Sequence, residues 1–509
     1  MRLLHITDLH LSDRRDTPAA EALRWAVDAA NGLAPDLVAF TGDMTSYGTA
    51  DAARQFVEEA GRLQIPWVFT PGNAELRHAG AMPILAPHCQ RRALDLQGIR
   101  FLLPDTSTGR LTAADRDLLA REAAAAPRAV LTHYPLDTLD ADSRAWLEDW
   151  LTENPTELYL SGHRHFSRRR PINGGAEIVG RGLDPDKAYG GPPGVSLFER
   201  DAGGAWAERE MPWPHGNEPL PARTGHSPVG WSIHGDPVEA ARETYESGLN
   251  VLELRPRGPG YDLEGVLAEL EKLRADRPLY LSWHLTSLSW EDGRVEGGES
   301  IAEQAGHARL CGVDAFTVHV PQVGAHLMEE GNAVWKAFLR AFVGLFAEAN
   351  AAGVVLSIEN VHNAPGTPLD RQSRKFATRI GEYLAWLDAA AAALPGGRVG
   401  AHFDVGHARN NGELGNYQPL GDWYARVGRR ITGYHIHQVR PHEESGKLTN
   451  HRDIRALYDR TVSYAGFLHA WSTGLINRSP LFVEVRDPEE RRRTAGLLLE
   501  IFGGAARGA

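Results

Sequence analysis

The sequence predicts an α/β protein in two parts, a layered α/β domain followed by a (β/α)8 barrel. Three observations carry this. Apolar runs alternate with helical patterns up to about residue 211. The stretch Glu210–Gly230 (EMPWPHGNEPLPARTGHSPVG) then holds five prolines and three glycines without apolar periodicity, as a linker does. Beyond it, eight short strand patterns recur, each followed by a plausible helix.

In the first part, strands are expected at Arg2–Thr7, Leu37–Thr41, Trp67–Thr70, Ala129–Thr132 and Leu158–Ser161. Helices are expected at Ala19–Ala30 and Ala50–Leu63, and closing antiparallel strands at Glu177–Gly180, Val195–Glu199 and Trp206–Met211. The eight later strands read as Gly230–His234, Asn250–Leu254, Leu279–His284, Ala315–Val320, Val354–Glu359, Val399–Asp404, Thr432–His437 and Leu481–Val485. Helices such as Val238–Ser247, Leu263–Arg274, Val334–Ala352 and Glu490–Phe502 lie between or after them. The expected division is 1–211, a linker at 212–227, and a barrel at 228–509.

Composition narrows the class. The 509 residues are 42% hydrophobic and 24% charged, ordinary for a globular protein and unlike a disordered or fibrous one. No apolar run reaches the roughly 18 residues that a spanning helix needs, so no membrane partner is expected. Asp8 and His10 interrupt Met1–Ser12 before a signal-peptide core could form. Two cysteines, Cys89 and Cys311, make no disulfide framework, and a cytoplasmic location is expected. A net charge of −12 disfavours unspecific nucleic-acid binding by charge alone. Against this background, 22 histidines stand out, and their positions decide the reading.

Five strand ends of the first domain carry possible metal ligands: Asp8-Leu-His10, Gly42-Asp43, Gly72-Asn73, His133 and Gly162-His163-Arg-His165. Carboxylates and imidazoles on neighbouring strand ends can converge on two divalent ions, which could activate a water and neutralise a phosphoryl oxygen. The order D-x-H, GD, GN, H, GHxH resembles the calcineurin-like metallophosphoesterases over roughly residues 1–211. The resemblance implies a four-layer α/β/β/α sandwich. It also implies one metal on Asp8, His10 and His165 and another on Asn73, His133 and His163, with Asp43 bridging and Mn, Fe or Zn as the ions. Where the family has a His after GN, this chain has Ala74, which cannot protonate a leaving group. His78, four residues on, is a candidate catalytic substitute, and Arg164 of the Arg164, Arg168, Arg169, Arg170 cluster is a candidate for binding substrate phosphate.

In the barrel, ligand-type residues fall at or beyond the carboxyl ends of the strands, the face where this fold places active sites. They are His284, His319, Glu359, Asp404, His407, His435, His451 and Glu484. The motifs SIEN (Glu359), FDVGH (Asp404 to His407), GYHIH (His435, His437) and FVEVR (Glu484) resemble the xylose-isomerase-like barrels, which include sugar phosphate isomerases, epimerases and endonuclease IV. The isomerase branch implies one metal, Zn or Mn, on Glu359, Asp404, His435 and Glu484. The endonuclease branch adds His284 and His319 beside Glu359, and a third zinc taking His407 and His451, for which Thr449 stands where that branch has Asp. His435 and His437 are two apart on a strand and face the same way, so either suits a ligand, and His435 matches the family position better. Glu253 resembles an acidic, substrate-side residue of the isomerase branch. His5, His234, His362 and His442 are expected to be structural or substrate-lining.

Together these features predict a bifunctional, metal-dependent phosphoester hydrolase acting on a small phosphorylated sugar, cyclic phosphate or nucleotide-type ester. Two other readings follow from the barrel. One is a phosphatase fused to a sugar isomerase or epimerase, with Glu359 and Glu484 moving protons as well as holding metal. The other is a repair enzyme acting on nucleic acid, against which stands the lack of a basic stripe with interleaved aromatics. A degenerate regulatory role for the Ala74-bearing domain is a further, non-enzymatic possibility.

Overall fold

The structure is a computed structural model; it describes all residues except 124–126, 216–227, 292–293, 326–332, 363–372, 395 and 503–509. The expected linker therefore lies mostly outside the described residues. The chain divides into two compact units, Met1–Gly216 with Leu457–His469, and Asn217–Ala456 with Ala470–Ala509. The segment Leu457–His469, expected within the barrel, belongs to the first unit.

The first unit is built on two sheets. Strands β1 (Arg2–Ile6), β2 (Leu37–Thr41) and β3 (Trp67–Thr70) run parallel, and β10 (Gly194–Arg200) and β11 (Trp206–Pro212) extend the β1 edge antiparallel. The second sheet has the order β4-β5-β6-β7-β9-β8, from Ala93–Leu96, Ile99–Leu102, Arg128–Leu131, Leu158–Ser161, Gly175–Val179 and Arg168–Ile172. Strand alternation explains the layers. Leu4 and Ile6 of β1 pack with Leu23 and Val27 of helix α1 (Pro18–Leu33) and Phe56 of α2 (Ala50–Ala60), whereas Leu3 packs with Ile99, Leu131 and Leu160 of the other sheet. A third cluster joins Val130 and Tyr159 to Leu147 and Trp150 of the helix Ala141–Glu153. Helix, sheet, sheet and helix thus form the expected four layers. Helix α1 starts where Thr17 caps it, its hydroxyl accepting from Ala20 N, with Pro18 at the first helical position.

The second unit closes eight parallel strands into a barrel: Val229–His234, Val251–Arg255, Tyr280–His284, Ala315–His319, Val355–Glu359, Val399–Asp404, Ile431–Ile436 and Leu481–Val483. All eight expected strands are present, each within two residues at either end. Their near-continuous apolar character fits strands covered on both faces. The ligand-type residues cluster at the carboxyl ends, on the seventh strand at His435 and just beyond its end at His437.

Candidate metal centres

In the first unit, short turns after β1, β2, β3, β6 and β7 carry the ligand-type side chains. Two glycines make the approach possible. A Cβ at Gly162 would collide with Thr7 and Asp8, and one at Gly72 would collide with Asp43. With neither present, His163 N donates to both oxygens of Asp8 at 2.9 Å, and Ala74 N donates to Asp43 Oδ1 at 2.7 Å. Five non-glycine ligand residues sit in the left-handed region: Asp8 (φ 50°), His10 (56°), Asp43 (53°), His163 (69°) and His165 (58°). Such strain concentrates at functional sites.

Two groups result, sharing Asp43. His10 Nε2 lies 3.3 Å from His165 Nε2 and 3.5 Å from Asp43 Oδ2, and His165 Nε2 lies 3.7 Å from Asp8 Oδ1. On the other side, His133 Nε2 is 3.4 Å from Asp43 Oδ1 and 3.3 Å from Asn73 Oδ1, which is 3.0 Å from His163 Nδ1. His133 Nδ1 donates to Thr41 O at 2.9 Å, so its Nε2 is a bare acceptor. Acceptors therefore face acceptors across this space, an arrangement that a cation satisfies. Turning the Asn73 amide over would instead direct its NH2 to the two imidazoles and its oxygen to Arg77. The amide orientation thus distinguishes the cation-ready arrangement from a purely hydrogen-bonded one.

Electrostatics agree with that fit. Burial holds His133 and His163 down at about 4 and His10 and His165 well below the ordinary imidazole value, so all four keep lone pairs at neutral pH. Burial, then the Asp43 charge, raises the Asp8 carboxyl. Cationic side chains reach the site from several segments: Arg77 acts on His10, Asp43 and His133, and Lys187 on Asp8, His10, Asp43 and His165.

Glu75, which stands where the resembled family has Asp or Glu after GNH, carried no role in the sequence reading. Its fully buried carboxylate accepts from Asp43 N (2.9 Å), Gly72 N (2.7 Å), Thr45 N (2.8 Å) and Thr45 Oγ1 (2.9 Å). It braces two ligand loops at once. His78 is exposed, with Nδ1 accepting from Gly80 N at 3.1 Å and its ring beside Tyr47, and no described contact joins it to the ligands. Arg164 pairs with Asp137 at 3.1 Å, as Arg168 does at 2.7 Å, and Arg170 pairs with buried Glu177. Most of the arginine cluster is thus spent on ion pairs around the edge strand β8.

In the barrel, Glu359 is the hub. Its Oε2 lies 2.9 Å from His284 Nε2 and 3.0 Å from His319 Nε2; its Oε1 lies 3.1 Å from His435 Nδ1 and 3.3 Å from His407 Nδ1. Asp404 stands 3.1 Å from His437 Nε2, and Glu484 stands 3.0 Å from His435 Nδ1 and 3.1 Å from His451 Nε2. Among the described residues, ligand atoms gather in several sets, including His284/His319/Glu359, Asp404/His437/His451/Glu484 and Glu253/His402/His435. His284 Nδ1 donates to Leu285 O at 2.9 Å, leaving Nε2 as an acceptor pointed at a carboxylate. Among the described residues, His319 Nε2 and His451 Nε2 are buried and, although 3.0 Å from Glu359 and 3.1 Å from Glu484, lack the angles of a hydrogen bond. These atoms fit divalent ions by the same argument as the first unit.

Three placements refine the sequence reading. Both His435 and His437 reach the carboxylates, so His437 joins the candidate ligands. Glu253 is fully buried beneath the site: it takes His435 Nε2 at 2.6 Å and hydroxyl hydrogens from Ser232, Ser282 and Thr317. That geometry fixes the His435 tautomer with Nδ1 facing the other carboxylates. Thr449 donates to Arg440 O at 3.0 Å. His407 Nδ1 faces Asn360 O, Glu359 and Asp404; burial opposes its charging, but Asp404 and Glu359 outweigh it and push it up to about 9. Arg255, unmarked in the sequence, is buried and ion-paired with Glu484, where His234 also lies 3.2 Å away. His362 packs its ring 4.8 Å from that of His407, His5 bonds Thr41 inside the first unit, and His442 is exposed.

Comparison with known proteins places part of this. Residues 1–167 match the family model described as calcineurin-like phosphoesterase. A cAMP/cGMP dual specificity phosphodiesterase of Mycobacterium tuberculosis is 33% identical over an alignment covering 32% of this chain and 62% of that protein. The chain thus spans less than two thirds of the curated relative it matches. Among solved structures, a dimetal phosphatase from Danio rerio (12% identity, TM-score 0.35) covers 41% of this chain and 95% of its own. A xylose isomerase domain protein from Planctomyces limnophilus (15%, 0.38) covers 55% and 96%, and endonuclease IV from Thermus thermophilus (16%, 0.36) covers 54% and 99%. At these scores the barrel assignment rests on the strand pairing above. Residues 1–167 of the first unit thus match the calcineurin-like phosphoesterase model, in one chain with a closed eight-stranded parallel barrel.

Proposed function

We propose that the protein is a metal-dependent phosphoester hydrolase whose first unit acts on small phosphodiesters, cyclic phosphates included. The observation that carries this is the convergence of Asp8, His10 and His165 with Asn73, His133 and His163 around Asp43, within a domain that matches the phosphoesterase model. Divalent ions held there, Mn, Fe or Zn, would supply the charge that activates water and offsets a phosphoryl oxygen. The chain's own part is to fix that geometry. Ala74 N and Glu75 hold Asp43 in place, Asp8 ties β1 to the β7 turn, and Arg77 and Lys187 set a positive field for an anionic substrate. Ala74 offers no proton to a leaving group, which favours esters whose leaving oxygen departs without one. The cyclic-nucleotide phosphodiesterase activity of the mycobacterial relative agrees with a diester.

For the barrel we propose a second, independent metal centre with hydrolytic chemistry on a phosphorylated small molecule. Its support is that more than one ligand set gathers there, His284/His319/Glu359 and Asp404/His437/His451/Glu484 among them, more than the single ion an isomerase uses. Zn or Mn suits these donors. A screen of phosphomonoesters, cyclic phosphates and diesters, run on Asp43→Ala and Asp404→Ala, tests both parts. Each variant is expected to lose a different activity. Loss of one and the same activity in both rules out independent centres. A single metal per barrel with sugar-isomerising turnover refutes the hydrolytic reading of that half.

A further inference from the structure

The segments that follow the third, fourth and fifth barrel strands begin at the ligands His284, His319 and Glu359. They run on into a small sheet of four strands, in the order Arg294–Glu296, Ser289–Glu291, Gln322–Gly324 and Ser373–Lys375. Ser289 lies opposite Gln322, and Gln322 lies opposite Lys375. One sheet therefore ties together the three loops that follow one ligand set. Its last strand is fixed just beyond its end, where Val361 N donates to Ala377 O at 3.2 Å. Arg374 Nη1 donates to Thr378 Oγ1 and to Glu382 Oε2, each at 3.0 Å, with its guanidinium 4.0 Å from the centre of the Phe376 ring. Strand alternation then sends Lys375 to the opposite face.

Lys375 is half-buried, and its Nζ donates to Ser287 Oγ at 2.9 Å. Ser287 follows His284 on the loop after the third strand, and its Oγ lies 3.2 Å from His319 Nδ1. On the other side of that ring, His319 Nε2 lies 3.0 Å from Glu359 Oε2. A continuous chain thus runs from an ammonium through one hydroxyl and one imidazole to the hub carboxylate. An ammonium only donates, so the Ser287 oxygen spends one lone pair on it and keeps the other for His319 Nδ1–H. The imidazole then carries its hydrogen at Nδ1, and Nε2 is bare on the Glu359 side, as a metal ligand must be. Ser287 is exposed, and without the ammonium its hydroxyl is free to turn among its rotamers.

We propose that Lys375 is a positioning residue of the His284/His319/Glu359 centre, holding His319 through the Ser287 hydroxyl in the orientation that binds a divalent ion. This inference rests on the metal-centre reading of the barrel. Its test is calorimetric titration of Zn2+ into the chelator-stripped full chain, with the binding phase that Glu359→Gln abolishes taken as this centre. Lys375→Met is expected to weaken that phase roughly 10-fold, the low end for losing support behind a metal-bound histidine, and to leave other phases unchanged. Ser287→Ala should weaken it to a similar degree. The Lys375→Met/Ser287→Ala double variant should bind no more weakly than the weaker single variant, because both changes break one chain. Lys375→Arg, which restores a donor, should recover most of the affinity. If Lys375→Met does not fold, Lys375→Ala takes its place in the cycle. Unchanged Zn2+ affinity in a folded variant, or losses that add in the double variant, overturn the proposal. If no phase is lost on Glu359→Gln, the metal reading of this centre fails and the proposal with it. A phase that is present but indifferent to Lys375 removes the proposal alone.

Discussion

Glu75 provides the sharpest stability test of the first centre. Its Oε2 accepts from Asp43 N and Gly72 N, and its Oε1 accepts from Thr45 N and Thr45 Oγ1, in a fully buried setting. Glu75→Gln keeps the shape but leaves one oxygen for two donor pairs, so an amide NH2 must face N–H donors on one side. Two hydrogen bonds to a charged acceptor are lost, each worth about 1.5–3 kcal/mol. The expected destabilisation is therefore about 3–6 kcal/mol, a large fraction of an ordinary domain's stability. Because the same bonds position Asp43, Mn2+ affinity of the first centre should also fall roughly 10–100-fold. Urea unfolding measures the first effect and calorimetric titration the second. A Glu75→Gln protein that unfolds within about 1 kcal/mol of the parent and binds Mn2+ unchanged would refute the bracing argument.

Other consequences can be checked in the same preparations. Asp137, held down at about 2 by hydrogen bonds from Arg168 and by the Arg164 charge, has a folded pKa below its unfolded value. Its stabilisation is thus present above about pH 4 and is lost as pH falls through about 2; Asp137→Asn should cost roughly 1–2 kcal/mol at pH 7 and close to nothing below about pH 1, read by denaturant titration. Glu253→Gln should weaken metal binding in the barrel roughly 10–100-fold while leaving the first centre's occupancy intact, as measured by elemental analysis of separately titrated samples. Chelation should lower the melting temperature of the first unit by several degrees, since about 2.7 kcal/mol accompanies an ion at a hundredfold excess over its Kd and the ligand loops carry left-handed strain. Identical melting with and without chelator would mean that the ions add no stability.

The positions of the ligand residues were legible because strand patterns are short and periodic, and because chemistry-bearing side chains follow their ends. Asp8, Asp43, Asn73, His133 and His163 can be placed by counting from β1, β2, β3, β6 and β7, and the barrel set from its strands in the same way. Roles were harder to read. Period-two alternation sends His435 and His437 to the same side and cannot choose between them; the structure uses both. Glu253 carried a substrate-side expectation, but its depth in the barrel depends on neighbours on other strands, Ser232, Ser282 and Thr317, that no local pattern reveals. Arg255 gave no signal beyond being a charged residue in an apolar run, and Glu75, which stands where the resembled family has Asp or Glu after its GNH, carried no role in the sequence; their partners come from distant segments or from backbone N–H groups. The membership of Leu457–His469 in the first unit is a long-range packing fact, set by His215, Asp186 and Gly190 rather than by its own sequence.

That membership also orders events during synthesis. A ribosome that has finished Gly216 must add about 240 more residues before Leu457 emerges, which at about 5–20 residues per second takes roughly 10–50 s. The two sheets and the metal ligands of the first unit are complete in the nascent chain well before Leu457–His469 exists. Through that interval the positions on Trp213 and His215 that Tyr458 and His469 later cover lack those partners. The first unit is thus encoded first and finished nearly last, so its maturation is tied to translation of almost the whole barrel.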